Sequence, residues 1–461
     1  MRFISTRGQA PALSFRDALL AGLAPDGGLY VPEQLPHFSP ADISRFAGLS
    51  YTELACEILH PFMAESFDKV TLARMVEKAY APFRHRAVAP LTQIGHEQFV
   101  LELFHGPTLA FKDFALQLLG HLMEEALKDS TENAIVLGAT SGDTGSAAIS
   151  GLSGKKHLSI VILYPECRPS DVQRRQMTTV EDAGVHPLAV SGTFDDCQDL
   201  VKAMFADAEF RARHKLLAVN SINIARVLAQ VVYYVYAACA LGAPSRQVSF
   251  CVPTGNFGDI YAGYLAKRMG LPVHRLIIAT NENDILQRCV ATGEYAMAGV
   301  SATLSPSMDI QIASNFERLL YDIYGRDSTT LVAQMQALRA HGKITLSAAQ
   351  HRDLTRDFDA HRIDDAQTLA TMKAVYDESG YVLDPHTAVG VASAQALAAS
   401  ITGAIVTLAT AHGAKFPDAV KKATGVTPAL PHGMEDLMTK PEGIVPMAAD
   451  KAKLTAYLEA L

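Results

Sequence analysis

Short apolar runs recur along the chain, and each is followed by a turn rich in glycine or polar residues and then by a helical pattern. The clearest examples lie at residues 134–139 (AIVLGA), 158–165 (LSIVILYP), 249–259 (SFCVPTGNFGD), 275–284 (RLIIATNEND) and 403–416 (GAIVTLATAHGAKF). Continuous apolar strands that alternate with helices are typical of parallel sheets covered on both faces. Ligands bind such sheets outside the carboxyl ends of the strands, which is where these turns fall.

Two segments have a different pattern and suggest how the chain is divided. Residues 1–95 combine a turn at APDGGLYVP with a mixed helical pattern, which predicts an N-terminal domain. Residues 314–380 have little strand signal, and their apolar positions at helical spacing predict a helical insertion. We therefore predict an α/β protein with two parallel-sheet lobes, the first at residues 96–225 and the second, containing the insertion, at residues 226–461.

Composition narrows the class of protein. Hydrophobic residues make up 49% and charged residues 19%, which is typical of a globular chain. The net charge is −8 and no basic run occurs, so nucleic acid is not an expected partner. The longest apolar stretch, residues 227–242, is interrupted by Gln230 and is too short to span a membrane, so we expect a core helix there.

The spacing of cysteines indicates the cellular compartment, and the spacing of histidines indicates whether a metal site is present. The six cysteines are far apart and form no C-x-x-C pair, which favours reduced thiols in a cytoplasm; they are Cys56, Cys167, Cys197, Cys239, Cys251 and Cys289. The start MRFISTRGQ has no apolar segment after its charges, so no secretory signal is predicted. The sixteen histidines form no H-E-x-x-H pattern, and we predict no metal site.

A lysine lies at an unusual place in the stretch HGPTLAFKDFALQ, residues 105–117. Lys112 stands among apolar residues in the first turn of a predicted helix. One interpretation is a side chain that extends its ammonium to water. The other is a lysine whose pKa is lowered by burial and by the helix N-terminus, so that its neutral amine is available as a nucleophile.

Two glycine-rich turns are candidate anion sites. In GATSGDTG, the hydroxyls of Thr140, Ser141 and Thr144 precede or open a helix, which forms either a capped turn or an anion-binding concavity. In PTGNFGD, Gly255 and Gly258 allow the backbone to approach a phosphate at the next helix start, and Asp259 is expected to cap that helix with its side chain turned away.

Two further stretches carry polar residues after predicted strands. NSINIAR brings Asn220 and Arg226 together, as a phosphate-binding pair or as ordinary surface residues. In TLATAHGAKF, Thr410 ends a strand and either faces a ligand or caps the turn. A lysine with a lowered pKa and two anion-binding turns on an α/β scaffold fit pyridoxal phosphate, which needs a lysine, a phosphate site and a partner for its ring nitrogen.

These stretches resemble known sequence blocks. HGPTLAFKDFA resembles the lysine motif of the threonine synthase family, whose members are fold type II pyridoxal-phosphate enzymes. GLAPDGGLYVP, GATSGDTG, PTGNFGD and SPSMDIQIASNFERLL are similar to other blocks of that family, in the same order. The resemblance covers nearly the whole chain, and the long form with a helical insertion is similar to the bacterial and fungal branch.

The resemblance implies a role for each candidate residue. Lys112 would bind pyridoxal 5'-phosphate covalently, Asp143 would lie near its ring hydroxyl, and Thr410 would face its ring nitrogen. Many fold type II relatives have asparagine where this chain has Asp143. The cofactor phosphate would be held by Gly255, Asn256, Phe257 and Gly258, with Asp259 beside them. The substrate carboxylate would be held by Thr140, Ser141 and Thr144, and the substrate phosphate by Asn220 and Arg226.

The reaction that the resemblance implies is the conversion of O-phospho-L-homoserine and water into L-threonine and phosphate, by a monomer or small homo-oligomer. Three alternatives stay open. A phospho-lyase on the same scaffold would release 2-oxobutanoate from the same substrate. A serine or threonine dehydratase needs no substrate-phosphate site, so Asn220 and Arg226 count against it. A binding or regulatory protein would not need Lys112 or both glycine-rich turns.

Overall fold

The computed structural model describes residues 1–131, 133–166 and 168–461. Its strands, in chain order, are β1 Phe3–Ser5, β2 Tyr30–Pro32, β3 Leu91–Gly95, β4 Gln98–Glu102, β5 Ala134–Ala139, β6 Leu158–Pro165, β7 Val185–Ser191, β8 Lys215–Leu217, β9 Val248–Pro253, β10 Val273–Thr280, β11 Glu294–Ala296, β12 Lys343–Thr345, β13 Phe358–Arg362, β14 Ile405–Ala409 and β15 Val445–Ala448.

Helices connect most of these strands. The α-helices are α1 Phe15–Ala21, α2 Pro40–Phe46, α3 Tyr51–Met63, α4 Lys69–Tyr80, α5 Lys112–Ala126, α6 Asp143–Leu152, α7 Asp171–Thr178, α8 Phe194–Ala206, α9 Ala208–Arg213, α10 Ile224–Ala240, α11 Gly258–Arg268, α12 Ile285–Thr292, α13 Phe316–Ile323, α14 Ser328–His341, α15 Ala348–Asp357, α16 Asp365–Ser379, α17 Pro385–Leu397, α18 Pro417–Thr424 and α19 Lys451–Glu459. Short 3₁₀ turns lie at Pro306–Met308, Ala398–Ser400 and Gly413–Lys415.

Two sheets form the α/β scaffold, as the apolar runs predict. The larger has six strands in the order β13-β10-β9-β14-β4-β3, parallel except for β3 at one edge. The second has five parallel strands in the order β15-β7-β6-β5-β8. Every residue of β9 is buried, because helices cover both faces of this sheet.

In two places, a sheet contains strands from outside the range predicted for its lobe. Strands β3 and β4 pair with strands of the six-stranded sheet, although β4 lies in the range predicted for the first lobe. Strand β15, near the end of the chain, pairs with β7 in the five-stranded sheet. Each sheet therefore takes strands from distant parts of the sequence, and the domain ranges stay a prediction.

The N-terminal residues pack against the scaffold through helices. Helix α3 lies against α10 and helix α4 lies against α5, and β1 and β2 form a small antiparallel pair. The predicted insertion at residues 314–380 contains helices α13 to α16 and the strands β12 and β13. Thr6 and Arg7 both bond the buried Glu317, so this insertion is fixed to the start of the chain.

The apolar stretch at residues 227–242 lies almost entirely within the buried helix α10, as predicted. Among the described residues, no helix has the length and apolar character needed to cross a membrane. Five cysteines, Cys56, Cys197, Cys239, Cys251 and Cys289, are free and buried, and Cys167 lies outside the described residues. The described part of the chain holds no group of three metal-ligating side chains.

Candidate active site

A cleft lies where the turns that follow β9 and β14 meet the N-terminal ends of α5, α6 and α10. It encloses about 750 Å³ of space free of protein atoms, part of it open to solvent. The candidate residues that line it are Lys112, Asp143, Thr144, Arg226, Gly255, Asn256, Phe257, Gly258, Asp259 and Thr410. The fold therefore gathers residues separated by almost 300 positions at the carboxyl ends of parallel strands.

Lys112 is the first residue of α5, and a local network fixes the turn before it. The backbone N–H of Thr108 donates to Asp113 Oδ2 at 2.8 Å, and its hydroxyl donates to Oδ1 at 2.6 Å. The Phe111 N–H donates to the carbonyl oxygen of Thr410 at 2.9 Å, which ties this turn to the end of β14. The lysine is thus held at a defined place rather than extended into water.

The surroundings of Lys112 favour its neutral amine. Lys112 is only 8% exposed, and its Nζ lies 4.7 Å from the ring centroid of Phe111. Burial lowers the pKa of Lys112, and the carboxylate of Asp143, with Oδ2 at 3.5 Å, opposes that change without cancelling it. Of the two interpretations of this lysine, the geometry favours the amine with a lowered pKa.

Asp143 opens α6 and lies at the centre of a buried polar cluster. Its Oδ1 accepts hydrogen bonds from Lys415 Nζ at 2.8 Å and from Gln173 Nε2 at 2.9 Å. Its Oδ2 faces Lys112 Nζ and accepts from Ser307 Oγ at 3.4 Å. Burial raises the pKa of Asp143, but the charge of Lys415, with smaller contributions from Lys112 and His386, outweighs burial and holds the pKa well below the usual range.

The turn at residues 255–258, which opens α11, has the features of a phosphate site. A Cβ added to Gly255 would lie 2.6 Å from the Ser307 carbonyl oxygen, so the packing needs glycine there. Phe257 has φ of 66°, a left-handed conformation for a bulky residue, and its ring packs against Phe316. In the described residues, no protein group accepts from the N–H of Gly255, Asn256 or Phe257. These three N–H groups and a helix N-terminus suit an anion.

Asp259 lies one residue into α11, and its carboxyl group is turned toward two tyrosines. Tyr233 and Tyr234 hydroxyls donate to its Oδ1 at 2.5 and 2.8 Å. Its Oδ2 is buried, and no described group hydrogen-bonds it. Burial raises the pKa of Asp259 to about 6, although the tyrosine hydrogen bonds act in the opposite direction. This carboxyl group is therefore easier to protonate than an exposed aspartate, which reduces its repulsion of a bound phosphate.

The pKa of Asp259 predicts a pH-dependent stability that an amide would remove. Between its unfolded value of 3.8 and about 6, the folded protein keeps a proton that the unfolded chain releases, so stability falls as pH rises. For wild type relative to Asp259→Asn, we expect the free energy of unfolding to fall by about 2 kcal/mol from pH 4 to pH 7. Urea unfolding of both cofactor-free proteins across this range measures the difference, and parallel curves would contradict the prediction.

Arg226 is a buried cation that lacks an acidic partner. It is 6% exposed, and its Nη1 donates to the carbonyl oxygen of Val219 at 2.9 Å. In the described part of the chain, no carboxylate forms an ion pair with it, and burial lowers its pKa to about 10. A buried charge without a counter-charge is costly, so the side chain suits an anionic ligand. Ser221 lines the cleft nearby, whereas Asn220 is exposed and does not line it.

The three hydroxyl residues of GATSGDTG lie in different places. Thr144 lines the cleft and is half-buried, while Ser141 is exposed at the turn. Thr140 is buried, and its Oγ1 accepts from the N–H groups of Gly142 and Gly145 at 3.0 and 2.8 Å. The Thr140 oxygen thus organises the turn itself, and the residue does not line the cleft.

Thr410 follows β14 and is held by its backbone. Its N–H donates to Thr387 Oγ1 at 3.2 Å, and its carbonyl oxygen accepts from Phe111. No hydrogen bond joins its hydroxyl to another described residue, and the residue lines the cleft. The hydroxyl is available to a ligand.

Sequence patterns missed several residues of the site. Three of them, Ser307, His386 and Gln230, line the cleft. The other two, Lys415 and Gln173, hydrogen-bond the carboxylate of Asp143. His386 has Nδ1 2.9 Å from Asp384 Oδ1, and its Nε2 accepts from the Ser307 N–H at 3.2 Å. The stretch TLATAHGAKF contained the signal for Lys415, because that lysine stands among small residues just after a strand.

The donor set fits pyridoxal phosphate. The free N–H groups of the 255–258 turn can hold a dianionic phosphate, and Lys112 can bind an aldehyde covalently. The match to the family described as pyridoxal-phosphate dependent enzyme covers residues 84–349, and the two parallel-sheet lobes are those of fold type II. The fold and the site thus define the class of this protein as the fold type II pyridoxal-phosphate dependent enzymes.

More specific matches flank that region. Residues 2–80 match the N terminus of threonine synthase, and residues 387–458 match its C-terminal region. Threonine synthase from Pseudomonas aeruginosa is 51% identical over 99% of this chain and 98% of its own length. The chain belongs to the threonine synthase family.

Solved structures agree with this assignment. The PLP-bound crystal structure of threonine synthase from Brucella melitensis superposes with a TM-score of 0.97 and 52% identity, over 100% of this chain and 99% of the other. The yeast threonine synthase structure gives a TM-score of 0.94 at 42% identity, over 99% and 98% of the two chains. The family resemblance and fold class predicted from the sequence are confirmed.

Proposed function

We propose that this protein is a threonine synthase that converts O-phospho-L-homoserine and water into L-threonine and phosphate with pyridoxal phosphate as cofactor. One observation supports the phosphorylated substrate above all. Arg226 is a buried cation without an acidic partner among the described residues, and it lines the same cleft as Lys112. A substrate phosphate would supply the counter-charge that the protein does not.

Each part of the cofactor has a counterpart in the cleft. Lys112 would bind its aldehyde, the N–H groups at residues 255–258 its phosphate, and Thr410 its ring nitrogen. Asp143 would lie near the ring hydroxyl, with Asp259 beside the phosphate. When bound, the cofactor supplies an electron sink for the negative charge that develops at the substrate Cα.

The substrate would be held at both ends. Ser141 and Thr144 lie at the N-terminal end of α6, whose partial positive charge suits the substrate carboxylate. Thr140 would shape that turn through its hydrogen bonds to Gly142 and Gly145. Arg226 would bind the phosphate, while a phosphate contact of Asn220, which does not line the cleft, stays a prediction.

Proton transfer would be the task of Lys112. Its neutral amine takes a proton from Cα, and further transfers at Cβ and Cγ accompany cleavage of the Cγ–O bond. Arg226 stabilises the charge on the departing phosphate as that bond breaks. The oxygen of one water then bonds to Cβ, its second proton passes to the departed phosphate or to Lys112, and a proton returns to Cα, which balances the atoms of threonine and phosphate.

Product identification separates this function from a phospho-lyase on the same substrate. The purified protein is incubated with O-phospho-L-homoserine in heavy-oxygen water, and the carbon products are identified by mass spectrometry. We expect threonine with the label in its side-chain hydroxyl. Mostly 2-oxobutanoate would assign the phospho-lyase activity instead, and no consumption of substrate would reject both.

Composition supports a proposal for the cellular setting of this activity. We propose that the protein acts in the cytoplasm, as a monomer or small homo-oligomer, and without nucleic acid as a partner. A net charge of −8 without a basic run and buried free cysteines support this. The divisions at residues 1–95, 96–225 and 226–461 remain our proposal for its domains.

A further inference from the structure

Two lysines share one carboxylate in the cleft, and their environments differ. Lys415 is 0% exposed, and its Nζ lies 2.8 Å from Asp143 Oδ1. The same Nζ donates to the Thr108 carbonyl oxygen at 2.7 Å. Lys112 Nζ lies farther from the carboxylate, at 3.5 Å, and it borders the cleft. Nothing in the proposed reaction uses Lys415 directly.

The backbone around Lys415 is fixed by the start of α7. Ser170 is the N-cap of that helix, and its hydroxyl donates to the Lys415 carbonyl oxygen at 3.1 Å. Gln173, three residues on, donates from Nε2 to Asp143 Oδ1 at 2.9 Å. One helix end therefore holds both the lysine and the carboxylate, so the Lys415–Asp143 pair is built into the fold.

The arrangement favours loss of the proton from Lys112. Two ammonium groups and one carboxylate leave an excess positive charge in a buried space, which is costly. Coulomb attraction falls with distance, and Lys415 has both the shorter contact and a backbone acceptor. Lys112 has the longer contact, and its ammonium also faces Arg226 across the cleft, with Asp259 as the other nearby acidic group.

We propose that Lys415 is a positioning residue that supplies the counter-charge of Asp143 and thereby leaves Lys112 free to act as a neutral amine. His386 also lies near Asp143, and its ring is held by Asp384. Lys415 does not line the cleft and needs no contact with substrate. It acts on Lys112 through the carboxylate that both lysines face.

The first test measures proton binding at the Lys112 nitrogen in the cofactor-loaded enzyme. This part of the test rests on the proposed function, because it follows the visible absorbance of the lysine-bound cofactor as pH is varied. Lys415→Met leaves Asp143 to pair with Lys112 alone, so we expect the apparent pKa to rise by about 1–3 pH units. Lys415→Arg keeps the charge and should restore the wild-type titration.

The second test does not depend on the cofactor. The full-length chain is freed of pyridoxal phosphate, and the labelling rate of Lys112 by a small amine-specific reagent is followed by mass spectrometry as a function of pH. Lys415→Met should again raise the pKa of Lys112. A protein that forms no visible band but shows this rise would retain the inference and reject the proposed cofactor chemistry.

A matched control exists elsewhere in the chain. Lys267 Nζ pairs with Asp357 Oδ1 at 2.9 Å and donates to the His274 carbonyl oxygen at 3.1 Å, so it has the same kinds of partner as Lys415 but lies outside the cleft. Lys267→Met should leave the Lys112 titration unchanged. An unchanged or lowered pKa of Lys112 in folded Lys415→Met would overturn the proposal.

Folding of Lys415→Met, which lacks the charge, is checked by circular dichroism and thermal unfolding. Should Lys415→Met fail to fold, Asp143→Asn tests the same electrostatics from the other side. Without the carboxylate, both lysines lose their attraction, so the labelling pKa of Lys112 should fall below the wild-type value. An unchanged or raised pKa in that variant would also overturn the proposal.

Discussion

Replacing Lys112 with alanine should lower turnover of O-phospho-L-homoserine by at least about 10⁴-fold, because the residue is both the covalent anchor for the cofactor and the proton carrier. The substitution removes a buried amine whose charge is poorly compensated, with Asp143 3.5 Å away and Lys415 already paired to it. The fold should therefore persist, with Asp143 still bound by Lys415. Steady-state kinetics and thermal unfolding of the cofactor-loaded proteins measure the two effects.

Borohydride reduction identifies the lysine directly. In wild type, the reduced cofactor should be found on the peptide that contains Lys112, and Lys112→Ala should give no such adduct. Lys267→Ala serves as a control for loss of a half-buried, ion-paired lysine outside the cleft. An adduct on Lys415, the other buried lysine on Asp143, would show that the assignment is wrong.

Much of the scaffold could be predicted because its signals are local. Apolar runs such as AIVLGA and SFCVP become β5 and β9, and the long apolar stretch becomes α10. The order of strands in each sheet is a different matter. Strand β4 pairs with β14, about 300 positions away, and no periodicity within either segment specifies that partner. Sheet membership is decided by which apolar faces pack together in three dimensions.

The glycine turns and Lys112 were also visible in the sequence, because each combines an unusual residue type with a recognisable helix start. The Gly255–Gly258 turn lies at the start of α11, and Lys112 is the first residue of α5. The carboxyl of Asp259 turns away from its helix end, toward Tyr233 and Tyr234, as predicted. The prediction that Asp259 caps this helix is wrong, because the N-cap is Phe257 and no side chain caps the helix. Those two tyrosines gave no signal of their own in an apolar helix.

The partners of Asp143 could not be predicted in the same way. Gln173 comes from the start of α7, Ser307 from a 3₁₀ turn and Lys415 from another, and each looks ordinary in its own stretch. Only the packing of the two sheets brings them to one carboxylate. A charged side chain that is fully buried needs a partner, so burial in three dimensions reveals the cluster that spacing does not.

The second large effect on activity is expected from replacing Arg226. Arg226→Ala should lower kcat/KM for O-phospho-L-homoserine by about 30-fold to about 5,000-fold, since loss of one partner of a buried charge-assisted pair costs about 2–5 kcal/mol. The loss should appear in kcat as well as in KM, because the guanidinium stabilises charge on the phosphate as it departs. Arg226→Lys should recover part of the activity, as it keeps the charge without the planar pair of donors.

Stability measurements separate this role from a structural one. Arg226 is a buried cation without an acidic partner among the described residues, so its removal should leave the thermal midpoint of the cofactor-loaded protein unchanged or raised.

Inorganic phosphate should raise that midpoint in wild type by binding the folded state, and should not do so in Arg226→Ala. Arg268→Ala, which removes an arginine paired with Asp322 outside the cleft, should respond to phosphate as wild type does. Wild-type kinetics together with full stabilisation by phosphate in Arg226→Ala would remove this residue from the substrate site.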